Sequence, residues 1–227
     1  MGIDRAGLPF ILGALVPALV LLILGLNSWA AILFVLAFFF AFFFRDPDRQ
    51  IPSDPKYGNL VVSPADGRIT YAGVAEENTG LEGHWKQISV FLSPLNVHVN
   101  RTPIGGRILD VRYRAGRFLP AYRREAATEN ERSEIRIDHD GQIVVCRQVV
   151  GLLARRVVCR LSKGMQVTTG ERLGVMKFGS RMDVFVPINA HVGVSIGESV
   201  RGGESVIASL EPTSDLNNAQ FDEANDD

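Results

Sequence analysis

Cysteine is scarce in this chain. Cys146 and Cys159 are the only two among 227 residues, so a disulfide scaffold is excluded. The pair lacks the spacing of metal ligands, and an apolar-flanked cysteine behaves as a small core residue. An excess of either charge is missing too. There are 24 Lys and Arg against 25 Asp and Glu, a net charge of −1, so no global basic field argues for nucleic acid as a partner. No Gly-rich dinucleotide fingerprint, P-loop or zinc signature occurs. Finally, no charged residue stands between Arg5 and Arg45, which excludes an ordinary solvated N-terminal region.

What stands there instead is an apolar run, Leu8 to Phe44. It is longer than the apolar core of a signal peptide and lacks a small-residue cleavage site. Gly25-Leu26-Asn27-Ser28 interrupts it with turn formers, leaving two halves of about 17 residues each, the short limit for a spanning helix. The pattern predicts a membrane anchor over 1–44, as a helical hairpin or a shallower re-entrant wedge. The hairpin is favoured by Trp29, an interfacial aromatic. Arg5 and Arg45 then share one side, which the positive-inside tendency makes cytoplasmic. Arg45 to Pro52 is a polar, Pro-broken linker into a domain expected over 45–210. Charge is uneven in that domain, with arginines crowding Arg101 to Arg160. The tail, 211–227, is acidic and poor in apolar residues and is expected to be disordered.

The domain repeats itself. Pro64-Ala-Asp-Gly-Arg-Ile69 is echoed by Pro103-Ile-Gly-Gly-Arg-Ile108, and more loosely by Pro187-Ile-Asn-Ala-His-Val192. Lys163-Gly164-Met-Gln-Val167-Thr-Thr-Gly170-Glu171 is echoed by Ile196-Gly197-Glu-Ser-Val200-Arg-Gly-Gly203-Glu204. Glycines at matched offsets imply the same turns built more than once. The Gly-x-x-Val-x-x-Gly-Glu pattern resembles lipoyl and biotinyl domains, and predicts a mainly β barrel-sandwich of short strands.

Three stretches stand out chemically. Lys177-Phe178-Gly179-Ser180-Arg181 leads into the alternating Met182 to Pro187, a strand interrupted by a Gly-Ser pair. Asp66 sits in an Asp-Gly turn, where plain turn chemistry would also explain it. His98 follows a Ser-Pro turn, although a lone histidine in a strand is more often a hydrogen-bonded core residue. Between the repeats, Tyr113 to Arg136 is less strand-like and is expected to form an active-site loop. Its Arg112, Arg114, Arg117, Arg123 and Arg124 form a solvated face or engage a lipid phosphate in bidentate fashion.

Gly151 to Cys159, Lys163-Gly164, Gly170 to Gly174 and Phe178-Gly179-Ser180-Arg181 together closely resemble the C-terminal half of short-type phosphatidylserine decarboxylases, and the likeness runs from about Phe44 to Leu210. It implies self-cleavage between Gly179 and Ser180, with Ser180 becoming an N-terminal pyruvoyl group. That group is the electron sink, whose ketone forms a Schiff base with the substrate amine, and no metal is needed. It further implies phosphatidylserine as substrate, two chains (1–179 and 180–227) as a heterodimer, catalytic roles for His98 and Asp66, and a substrate site near Phe118, Arg117 and Arg101. Homo-oligomerisation is left open. One departure matters. Long-type relatives carry two histidines three residues apart, and here His98 takes the first place and Arg101 the second. The long type's relay through its second histidine therefore does not transfer intact. Either His98 is the base, or Asp66 and backbone strain suffice. A rival reading is a non-enzymatic, membrane-anchored lipoyl-like adaptor of a transport complex. Against it, no heptad hairpin follows the repeats. A lipoyl-type carrier would need a modifiable lysine at a hairpin tip, and Lys177 before Phe-Gly-Ser fits that poorly.

Overall fold

A computed structural model describes residues 2–52, 59–76, 79–121, 123, 125–152, 157–176 and 179–212. The expectations for Lys177, Phe178, Arg124 and the tail beyond residue 212 lie outside these. The chain opens with β1 (Gly2–Ile3), a 3-10 turn at Arg5–Gly7, α1 (Leu8–Ile23) and α2 (Asn27–Phe43). Then follow β2 (Arg45–Asp46), β3 (Leu60–Val62), β4 (Gly67–Val74), β5 (Trp85–Leu92), β6 (Val99–Arg101) and β7 (Gly106–Arg114). After the one-turn α3 (Ala126–Glu129) come β8 (Arg132–His139), β9 (Gln142–Val149), β10 (Val157–Cys159), β11 (Gln166–Val167) and β12 (Arg172–Met176). The last strands are β13 (Ser180–Pro187), β14 (His191–Val192), β15 (Ser199–Val200) and β16 (Val206–Ser209).

The two apolar helices break at Leu24–Leu26, next to the turn formers that predicted it. They pack through small side chains, Ala14 and Ala18 against Ala30 and Ala37, all buried, which lets helix backbones approach closely. Arg5–Ile23 is long and apolar enough to cross a membrane by length and composition, and Asn27–Phe43 is a shorter apolar helix. Their outer faces are exposed apolar residues such as Val16, Ile23, Val35 and Phe38. The two feet of the hairpin are zipped together: β1 pairs antiparallel with β2, and Asp4 N donates to the Phe44 carbonyl at 2.8 Å.

The hairpin is also fastened to the β domain. Phe43 and Phe44 are fully buried against Val97, Val99 and Val175. Asp4 pairs with Arg160 at 2.6 Å, and buried Asp46 bridges Arg101 at 2.6 Å and Arg172.

The β domain is mainly antiparallel. Its eight-stranded sheet runs β11-β7-β8-β9-β13-β5-β4-β15, with two three-stranded sheets, β10-β12-β6 and β14-β16-β3, beside it. The sequence repeat is visible in this order as two like halves meeting at β9 and β13. Ile69 N donates to the Glu198 carbonyl and its own carbonyl accepts from Gly197 N, both at 2.8 Å. Ile108 makes the same pair of 2.8 Å bonds with Met165 and Gly164. Ser63 is bound to Ser205 and Gly203 as Thr102 is to Glu171 and Gly170. This is the mainly β, lipoyl-like barrel-sandwich that the repeats predicted. Its core is the inward face of the strands: Ile69, Ile88, Val90, Ile108, Ile135, Ile137, Val144, Met182 and Val184.

Candidate active site

Ser180 opens β13 and is completely buried. It pairs with Leu92 of β5 on one side. On the other side the ladder to β9 starts one residue later, at Arg181 opposite Val149. Ser180 therefore sits at the end of a ladder, held on one flank only. Among the described residues its Oγ has no hydrogen-bond partner. A buried, unpartnered hydroxyl is unusual, and such groups are found where a polar atom is kept for chemistry.

Gly179, just before it, has φ +71°. That left-handed conformation costs a side-chain-bearing residue roughly 1–2 kcal/mol, so glycine is required by conformation. Space around its own α-carbon is open. Its carbonyl is another matter. A Cβ on Gly151 would lie 1.9 Å from the Gly179 oxygen and 3.4 Å from the Ala121 Cβ. Gly151 thus lets the chain after β9 lie directly against the carbonyl of the Gly-Ser bond. A Gly151→Ala chain is expected to accumulate uncut and to lose about 1–3 kcal/mol of stability from overpacking. A time course on a denaturing gel reads this, and wild-type cutting would refute it.

The loop before β8 is bound against the same place. Asn130 is fully buried. Its Oδ1 accepts from Leu119 N at 2.9 Å, and its Nδ2 donates to the Leu119 and Val150 carbonyls at 2.7 and 2.8 Å. Arg181 reaches the carbonyls of Ala121 and Arg123 at 3.5 and 3.3 Å, and pairs with buried Asp183 at 2.8 Å. These bonds hold Leu119 to Asn130, Asn130 to Val150, and Ala121 and Arg123 to Arg181, the residue after Ser180. Arg117 lies further out, exposed and paired with Glu129 at 2.9 Å.

His98 lies between the turn that follows β5 and the start of β6, and is 1% exposed. Its carbonyl accepts from Met176 N at 3.3 Å, four residues before Ser180. Its Nδ1 bonds the Asn96 carbonyl at 2.9 Å. A carbonyl can only accept, so Nδ1 carries the proton and Nε2 offers a lone pair. Nε2 has no partner. The imidazole stacks on Phe43, the last residue of α2, with centroids 3.9 Å apart and planes at 28°. Burial pushes its pKa down to about 4, against the bond to Asn96, with the Arg45 charge lowering it further. The ring is a neutral base at physiological pH.

Asp66 is placed differently. Its Oδ1 accepts from Gly202 N at 2.8 Å, and both oxygens meet Arg49, at 2.9 and 3.0 Å. Among the described residues it makes no bond to His98 or Ser180. Arg101 is buried. It binds Asp46 at 2.6 Å and the Gly170 and Pro47 carbonyls at 3.0 and 3.3 Å. At the position of the long type's second histidine, this chain has a clamp on the linker from the membrane hairpin.

Sequence reasoning missed Phe43, Asn130 and the steric role of Gly151. It also missed buried Gln148 and Asn100, linked at 3.0 Å and lying towards the core beside Met182. Both cysteines are free thiols, and burial pushes the Cys146 thiol well above its ordinary value. Among the described residues no group of His, Cys, Asp and Glu could hold a metal ion.

The fold is a lipoyl-like β domain fastened to an apolar helical hairpin, with a buried serine after a left-handed glycine at the start of β13. The phosphatidylserine decarboxylase family model matches residues 36–208. A relative described as phosphatidylserine decarboxylase proenzyme from Geobacter metallireducens is 42% identical over 216 residues, covering 92% of this chain and 96% of the relative. Relatives of the same description from Geotalea daltonii and Solibacter usitatus are 40% and 44% identical. They cover 88% and 78% of this chain, and 93% and 81% of their own lengths. The chain belongs to the phosphatidylserine decarboxylase family, and it is an enzyme of phospholipid biosynthesis that removes the carboxyl group of phosphatidylserine. The adaptor reading is not favoured.

Proposed function

We propose that this decarboxylase makes its own prosthetic group by cutting itself between Gly179 and Ser180, and works on the cytoplasmic face of the membrane. The observation that carries this is the unpartnered, buried Ser180 Oγ next to a carbonyl whose glycine is held at φ +71°. Ser180 Oγ attacks the Gly179 carbonyl carbon, the peptide C–N bond breaks, and the hydroxyl proton passes to the freed amine. The chain is then joined through an ester. Loss of the Ser180 α-proton eliminates the Gly179 carboxylate and leaves dehydroalanine at 180. Water then displaces ammonia, giving a pyruvoyl group. That group supplies the carbonyl electron sink that decarboxylation requires.

The surrounding residues fit such a group. Gly151 and the 117–121 loop pack beside its position, and no β9 ladder partner occupies its open flank, which leaves a side for water and substrate to enter. His98, neutral with a bare Nε2, takes up and returns the proton at the reacting atoms. Asp66 supports processing by holding Arg49 and the Gly202 turn. Phe118 lines the substrate side with Arg117 on its rim, and Arg101 acts at a distance by holding the linker through Asp46. The hairpin over residues 1–44 anchors the enzyme, with Arg5 and Arg45 at the cytoplasmic headgroups.

Intact mass of the purified protein is the test. The expected result is a large chain ending at Gly179 and a small one beginning with a blocked pyruvoyl at 180, held together under native conditions. A single active chain with a free Ser180 would refute the proposal.

A further inference from the structure

Between β5 and β6 the chain makes one tight turn, Ser93-Pro94-Leu95-Asn96. Its tip is apolar: Leu95 is 69% exposed, with Pro94 exposed beside it. A single exposed leucine is ordinary, but the backbone of this turn is not. Ser93 N donates to Asn96 Oδ1 at 2.9 Å, Leu95 N to Ser93 Oγ at 3.3 Å, and Asn96 N to the Ser93 carbonyl at 3.0 Å. Pro94 has no N–H. The Leu95 carbonyl accepts from Arg45 Nη2 at 2.8 Å, and the Asn96 carbonyl bonds His98 Nδ1. Every backbone N–H of the turn is used internally or, at Pro94, absent. A turn facing water can leave donors to the solvent, whereas a turn entering a medium without water cannot.

The location agrees. Arg45 directly follows the α2 foot. Its Nη1 donates to the Phe42 carbonyl at 2.7 Å, and its guanidinium lies 3.9 Å from the Phe42 ring centroid. One arginine therefore ties the turn to the end of the apolar hairpin, at the depth where a cation meets lipid phosphates.

We propose that the Ser93–Asn96 turn is a second membrane contact, in which Leu95 enters the headgroup–acyl boundary of the leaflet that holds the hairpin. The occupant is an anionic lipid leaflet. This rests on the membrane anchoring proposed above and adds a route for the substrate. The turn joins Leu92, the cross-strand neighbour of Ser180, to His98. The lipid surface is thereby seated over both flanks of the site, and a serine headgroup reaches it while its acyl chains stay in the leaflet.

The test uses the full chain reconstituted into vesicles of phosphatidylcholine and phosphatidylglycerol. An environment-sensitive fluorophore is placed at Leu95→Cys, at Val16→Cys in α1, or at His84→Cys before the far end of β5, each with Cys159→Ser. Positions 95 and 16 are expected to shift to the blue and to resist an aqueous quencher, and position 84 to do neither. On vesicles containing phosphatidylserine, Leu95→Asp is expected to raise KM roughly tenfold with kcat held, the scale of withdrawing about half a leucine side chain from lipid. Leu95→Phe should restore the wild-type KM. A water-like position 95 beside a lipid-buried position 16 would overturn this contact and leave the anchor standing. Water-like behaviour at both would overturn the anchor as well. An unchanged KM in Leu95→Asp would also defeat the contact.

Discussion

Ser180→Ala is expected to yield one uncut chain of 24.9 kDa with no detectable decarboxylation. The variant isolates chemistry from folding unusually well. Removing a buried hydroxyl normally strands its hydrogen-bond partner and destabilises the protein. Here the Oγ has no partner among the described residues, so alanine strands none of them, and thermal stability should equal or exceed that of an uncut wild-type chain. Loss of activity with a preserved melting temperature therefore reads directly on the nucleophile. Cutting in this variant, or turnover without cutting, would show that Ser180 is not the processed residue.

The second large effect belongs to His98. His98→Ala should still be cut, at least in part, while turnover falls by about 10²–10⁴-fold, the usual contribution of a positioned acid–base group. Asp66→Ala should accumulate the precursor, because Arg49 and the Gly202 turn lose their anchor. If His98→Ala remained wholly uncut while Asp66→Ala processed normally, the two roles would be exchanged. Hydroxylamine, which cleaves an ester without an elimination base, separates steps before the ester from steps after it. The pH profile adds a signature. A histidine held near pKa 4 by burial stays neutral down to about that pH, so the acid limb should lie near 4 and not near 6.5. The same depression makes stability fall as pH drops below 6.5, where the unfolded chain takes up the proton first, and the loss grows until pH 4. Phe43→Ala, which admits water to the ring, should move the acid limb upward.

Much of this architecture was legible in the sequence, because it rests on local pattern. The repeated Gly-x-x-Val-x-x-Gly-Glu segments gave β11 and β15, which pair with Gly106–Arg107 and Gly67–Arg68 in equivalent ways. The turn formers near Asn27 gave the break between α1 and α2. The Gly-Ser pair marked the start of β13 and its left-handed glycine. What stayed hidden depends on segments far apart in the chain. Nothing near Phe43 signals that it closes over an imidazole 55 positions later. Arg101 reads from sequence as a replaced histidine or a substrate-site residue, because its partner Asp46 lies in the linker. Gly151 belongs to a recognisable motif, but its reason, a carbonyl 28 residues on, exists only in three dimensions. Asn130 looked like one polar loop residue among several until its three backbone partners were in place.

The position of β13 has a further consequence. It is hydrogen-bonded between β5 and β9, while β16, from the same side of the cut, lies between β14 and β3. Once the Gly179–Ser180 bond is broken, the short fragment is woven through two sheets of the long one. Dilution alone cannot separate the fragments, since release requires both sheets to come apart. The converse is a loss of reversibility. The precursor folds as a single molecule, but a denatured mature enzyme must find its missing strands by collision, with no covalent tether to keep their local concentration high. A molecule cut at the proposed bond would thus be assembled once, and its working lifetime would be set by its rate of unfolding and not by a folding equilibrium to which it can return.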